Sequence, residues 1–229
     1  MKRLLLLTAI LVAATTVLSA DPIQCSTAAT LADLVTFSAS GGCISQDKIF
    51  SNFVYSGGGS ITAGDVTVHL VAILGDNDVH GWSFNPVNNS SWDTGFTLSY
   101  TISVAPGNPG LSIFESSDQI NTTFRPNRVV VTDLQTGIGP GDTNPGTLTM
   151  TGVSNGTETS STAVPYSDSS IHTVSTFSFA PSGPRTGSLL SYEQDWYEQL
   201  TSAPEPVTFL LIGSGLIGLT FLRRRIRKS

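Results

Sequence analysis

Few residues in this chain have the types and spacing that chemistry needs. The most distinctive group is Pro204-Glu205-Pro206, a glutamate framed by two prolines. Elsewhere, Asp76-Asn77-Asp78 offers two carboxylates and an amide, oxygen ligands of the kind calcium takes. The triplet lacks the glycine and distal glutamate of a calcium loop, so it reads as a plain turn. Asp65, Asp93, Asp133 and Asp142 sit beside turn residues and read the same way. His69, His80 and His172 are scattered, with no zinc-binding spacing, and no metal or cofactor is expected. No Gly-x-Ser-x-Gly elbow accompanies the many serines. A glycosidase needs two carboxylates about 5–10 Å apart, and nothing selects a pair.

Trp82, Phe84 and Trp92, with Asn85, Asn88 and Asn89, mix flat apolar rings with amides. That mix suits a sugar-binding face built on Trp82 and Trp92, and it equally suits core tryptophans flanking a turn. Asn88, Asn89, Asn121 and Asn155 each begin an Asn-x-Ser/Thr sequon.

The elements that must carry these residues are strands. Phe96, Leu98, Tyr100, Ile102 and Val104 alternate with Thr97, Ser99, Thr101 and Ser103, the period of a strand with one dry face. Residues 49–56, 65–74, 111–115, 128–134, 147–153 and 170–180 read as further strands, separated by Gly, Pro, Asn and Asp clusters. Residues 21–188 are therefore expected to be an all-β ectodomain, an antiparallel β-sandwich or jelly roll. Residues 189–203 read differently. Leu189, Tyr192, Trp196 and Leu200 recur at spacings of three and four, which predicts a short amphipathic helix or a juxtamembrane linker.

The ends of the 229-residue chain are basic and apolar. Met1-Lys2-Arg3, an apolar stretch from Leu4 to Val12 and small residues to Ala20 read as a secretory signal peptide over 1–20. Cleavage falls after Ala20 or Ser19. Export makes one Cys25–Cys43 disulfide the simplest pairing. It would close a loop with 17 residues between the cysteines, worth about 3 kcal/mol. Inside that loop Leu31, Leu34 and Val35 predict a short helix starting near Thr30 or Thr27 and ended by Gly41-Gly42. All 17 acidic residues lie between Asp21 and Glu205, against the four basic residues Lys48, Arg125, Arg128 and Arg185. An acidic body opposes nucleic-acid binding.

At the other end, Val207 to Leu222 spans about 24 Å as a helix, short against a hydrocarbon core of about 30 Å. Arg223, Arg224, Arg225, Arg227 and Lys228 stop its transfer and place the tip in the cytoplasm. A single transmembrane helix over 207–222 with a basic tail over 223–229 is the expectation.

Ala203-Pro204-Glu205-Pro206, the short apolar run and Arg223-Arg224-Arg225 together resemble the PEP-CTERM sorting signal of Gram-negative bacteria, over residues 204–229. The resemblance implies recognition by an exosortase at Pro204-Glu205-Pro206. It implies export across the inner membrane and anchoring in inner-membrane lipid before processing. Its destination would be the cell surface or extracellular matrix, with exopolysaccharide or biofilm as its setting. A non-enzymatic surface protein is the reading this favours, with a carbohydrate-binding sandwich as the alternative and a periplasmic hydrolase behind it.

Overall fold

Period-two burial runs through most of the described strands and builds two facing sheets. In the computed structural model the described residues are 23–73, 78–108, 110–123, 129–138, 146–151, 156–179 and 188–200. The expected signal peptide, the Asp76-Asn77 pair, Asn155, the three arginines of the body, the sorting glutamate and the membrane helix lie outside them. Among the described residues no helix is long and apolar enough to cross a membrane.

The strands are β1 (Ile23–Gln24), β2 (Cys43–Ser45), β3 (Lys48–Gly57), β4 (Val66–Ile73), β5 (Val79–Pro86), β6 (Phe96–Val104), β7 (Leu111–Thr123), β8 (Val129–Gly137), β9 (Gly146–Thr151), β10 (Gly156–Asp168), β11 (Ser170–Phe179) and β12 (Ser188–Leu200). A seven-stranded sheet runs β1-β2-β3-β6-β11-β8-β9, and a five-stranded sheet runs β10-β7-β12-β5-β4. Pairing is antiparallel except between β1 and β2. The architecture is a β-sandwich.

Side chains from both sheets meet in one core. On β6, Phe96, Leu98, Tyr100 and Ile102 are buried while Thr97, Ser99 and Ser103 are half-buried. Across the gap Trp82 on β5 meets Phe50 on β3 edge-on at 5.6 Å, and Phe177 on β11 meets Tyr192 on β12 edge-on at 4.8 Å. Each such ring contributes about 2–3 kcal/mol of burial.

The N-terminal segment caps one edge. Helix α1 (Leu31–Ser38) starts at Thr30, whose side chain accepts from Asp33 N while Asp33 Oδ2 accepts from Thr30 N at 2.8 Å. This reciprocal box satisfies two donors that the first turn leaves open. Leu31 and Leu34 face the core, whereas Val35 stays 37% exposed. Gly42 closes the helix at φ +101, and a Cβ there would collide with the Phe50 carbonyl. Cys25 and Cys43 are joined by a disulfide that ties this cap to β2.

One expectation is overturned outright. Residues 189–200 are neither helix nor linker but β12, a strand inside the five-stranded sheet, paired with β7 on one side and β5 on the other. Its register shifts between Leu189 and Ser191 and again between Tyr197 and Glu198. The first shift adds a residue, so the buried pair Leu189 and Tyr192 stand three apart, as on a helix. Beyond it Tyr192, Gln194, Trp196 and Glu198 point inward with period two. The sandwich therefore extends to Leu200, not 188.

Candidate functional site

β12 is the strand by which the chain leaves the sandwich, and its inward side chains join two polar clusters. The first lies near its C-terminal end. The β2–β3 turn brings Asp47 and Lys48 there from one sheet. The other sheet contributes His80 at the start of β5 and Glu198 on β12. Lys48 Nζ donates to Asp47 Oδ1 at 2.9 Å and to Glu198 Oε2. Backbone bonds hold the frame: Ala105 N donates to Asp47 O at 2.6 Å, and Glu198 N to Asp78 O at 3.2 Å. Lys48 and His80 are fully buried.

His80 Nε2 stands 3.5 Å from Asp47 Oδ1 and 3.9 Å from Glu198 Oε2, yet neither ring nitrogen has a hydrogen-bond partner among the described residues. Burial, and then the Lys48 ammonium, push the His80 pKa down to about 4. At neutral pH His80 is therefore an uncharged imidazole, and its approach to the carboxylates is not a salt bridge. Burial raises the Glu198 carboxyl, and Lys48 works against that shift.

The second cluster lies between the sheets. Val129, Val131, Asp133 and Gln135 share the inner face of β8, and Asp118 faces them from β7. Asp133 is fully buried and accepts four hydrogen bonds: Thr173 Oγ1 at 2.5 Å and Ser175 Oγ at 3.0 Å on Oδ1, Gln135 Nε2 at 2.7 Å and Gln194 Nε2 at 2.9 Å on Oδ2. Four donors suit an ionised carboxylate. Asp118, also fully buried, accepts from Tyr192 Oη at 3.2 Å, and its Oδ2 has no hydrogen-bond partner among the described residues. Tyr192 Oη lies 2.9 Å from Ser175 Oγ. Tyr192 Oη donates to Asp118 Oδ1, and either hydroxyl of the Ser175–Tyr192 pair can be the donor. Burial, and next the Asp133 charge, hold the Asp118 carboxyl well above its ordinary range. Burial raises Asp133 too, with its four donors opposing.

These placements correct several expectations. Asp133 is not beside a turn but mid-strand in the core. Trp82 and Trp92 do not form a sugar-binding face, because both rings are closed into the core at 0% and 1% exposure. Trp82 meets Phe50 and Phe53 edge-on, while Trp92 stacks on Phe96 at 4.7 Å and donates Nε1–H to Tyr55 Oη at 2.9 Å. Asn88 and Asn89 are exposed, both with φ of 57, in the turn after β5. The convergence of Asp47, His80 and Glu198 runs against the expectation of no metal-ligand set: their ligand atoms all lie within 4.8 Å of one another. They are too far apart in sequence for any spacing motif to flag them.

The family model of the PEP-CTERM protein-sorting motif matches residues 202–226. The chain carries that sorting motif. It begins two residues beyond Leu200, the last residue of β12. No curated protein matches the chain. Among solved structures, the chain is similar to TmCBM61 in complex with beta-1,4-galactotriose (13% identity, 66% of this chain and 89% of that chain covered, TM-score 0.37). It is similar to the enzymatically active domain of bacteriophage CBA120 tailspike protein 4 (12% identity, 66% and 19% covered, TM-score 0.31). A third is the family 11 carbohydrate-binding module of Clostridium thermocellum with a mixed-linked tetrasaccharide (12% identity, 65% and 88% covered, TM-score 0.27).

Proposed function

We propose that this protein is a non-enzymatic surface or matrix component that an exosortase delivers, with the β-sandwich as its cargo. The observation that carries the reading is the PEP-CTERM match at 202–226, directly after the exit strand. Three features support it: the signal-peptide-like residues 1–20, the Cys25–Cys43 disulfide, which belongs in an oxidising compartment, and the acidic, Ser/Thr-rich body. On this reading the chain is exported, held in the inner membrane by the 207–222 helix with its basic tail inside, and released to the surface or matrix among exopolysaccharide. Exosortase is the partner, and Glu205 is the residue it reads.

The carbohydrate-binding alternative rested on Trp82 and Trp92 and loses its rings to the core. A hydrolase would need a reachable, free carboxylate pair: Asp118 with Asp133 is sealed from solvent, and Asp47 with Glu198 is held by the Lys48 ammonium. Glu205→Ala tests the proposal in the producing cell. The variant is expected to accumulate unprocessed in the membrane fraction while the wild type leaves it. Equal release of both proteins would overturn exosortase recognition at this residue.

A further inference from the structure

We propose that Asp47, His80 and Glu198 form a binding site for a divalent transition-metal cation of the Zn2+ type, with the Lys48 ammonium as its internal competitor. The geometry approaches a tetrahedral centre, with the two carboxylates held around the Lys48 ammonium. Two ligands each about 2.0–2.1 Å from such a centre stand roughly 3.3–3.4 Å apart. His80 Nε2 lies 3.5 Å from Asp47 Oδ1, close to that spacing, and 3.9 Å from Glu198 Oε2, about half an ångström beyond it. All three ligand atoms fall within 4.8 Å of one another.

The second observation is His80 itself. It is fully buried, its Nε2 faces two carboxylates, and both ring nitrogens lack a hydrogen-bond partner among the described residues. A buried polar group without a partner costs about 1–3 kcal/mol, and a cation on Nε2 removes that cost. Lys48 satisfies both carboxylates and leaves His80 unanswered.

One imidazole and two carboxylates suit Zn2+ or a neighbouring first-row ion, whereas Ca2+ and Mg2+ prefer oxygen alone. Asp47 is 21% exposed at its side chain, which opens the site on one side for entry and for a water as fourth ligand. The ion and the ammonium are alternative occupants of the same carboxylates. Glu198 lies four residues before the matched sorting motif, so an ion here pins the end of the exit strand.

The test is a Zn2+ competition titration against a chromophoric chelator. It uses the detergent-solubilised full chain without a histidine tag, with circular dichroism as the check on folding. Wild type is expected to take up one Zn2+ per chain, and His80→Asn to bind at least tenfold more weakly. Lys48→Met is expected to bind at least tenfold more tightly, with Zn2+ raising its melting temperature more than that of wild type. If Lys48→Met does not fold, the comparison of wild type with His80→Asn decides alone. No uptake by wild type, or equal affinity in folded His80→Asn, would overturn the site. A folded Lys48→Met that binds no more tightly than wild type would overturn the competition.

Discussion

Asparagine substitutions at Asp118 and Asp133 should behave in opposite ways although both carboxyls are fully buried and share one cluster. Asp133 is the ionised member, answered by Thr173, Ser175, Gln135 and Gln194. In Asp133→Asn an amide NH2 replaces one acceptor oxygen and confronts donors that had bonded it. Bonds to a charged group contribute about 1.5–3 kcal/mol each, and relief from burying a charge offsets part of the loss. A net cost of about 3–4 kcal/mol is expected, a large share of the roughly 5–15 kcal/mol that holds a domain folded.

Asp118 is the protonated member, so Asp118→Asn replaces one neutral group with another and should cost under about 1 kcal/mol at pH 5. The sign of the pH effect follows from the raised pKa of Asp118. Above about pH 4 the unfolded carboxyl is ionised while the folded one keeps its proton. Stability is therefore fully present below the unfolded pKa and is lost as pH rises toward the folded one, by at most about 1.4 kcal/mol per pH unit. His80, with its lowered pKa, changes stability in the opposite direction over about pH 4 to 6.5. The difference between Asp118→Asn and wild type isolates the Asp118 contribution. Urea unfolding at pH 5, 6.5 and 8 should show wild type losing stability relative to Asp118→Asn as pH rises. Equal losses for the two asparagine variants, or a pH-independent difference between Asp118→Asn and wild type, would refute the proton assignment.

Two further outcomes follow from the packing. Reducing Cys25–Cys43, or replacing both cysteines with serine, should cost about 3 kcal/mol, visible as a lower urea midpoint, whereas an unchanged midpoint would mean the cap does not constrain the unfolded chain. Gly81→Ala should cost about 2–3 kcal/mol and lower the melting temperature by roughly 4–12 °C. Its Cβ would collide with the Gln194 carbonyl and Asp195 Oδ1 across the β5–β12 pair, and an unchanged melting temperature would contradict that packing.

The legible parts of the fold were those where apolar residues alternate without a fault. β6 reads directly from Phe96 to Ile102, and α1 from Leu31 and Leu34 with Thr30 and Gly42 at its ends. The hidden parts place polar residues inward. Gln194 and Glu198 interrupt the apolar pattern of β12, and its bulge between Leu189 and Ser191 gives a helix-like spacing between Leu189 and Tyr192. Beyond Glu115, β7 continues through Ser116, Asp118 and Thr122, buried residues that read as loop in a sequence. Asp133 carried one usable signal, its period-two position after Val129 and Val131. No local signal linked Asp47, His80 and Glu198, because sheet pairing alone brings them together.

Delivery by exosortase stands or falls on the mature C-terminus. Intact mass spectrometry of the protein from exosortase-positive and exosortase-null cells measures it directly. A C-terminus within or next to Pro204-Glu205-Pro206 is expected in the positive cells and the full chain to Ser229 in the null cells. An identical, uncut C-terminus in both would contradict the account.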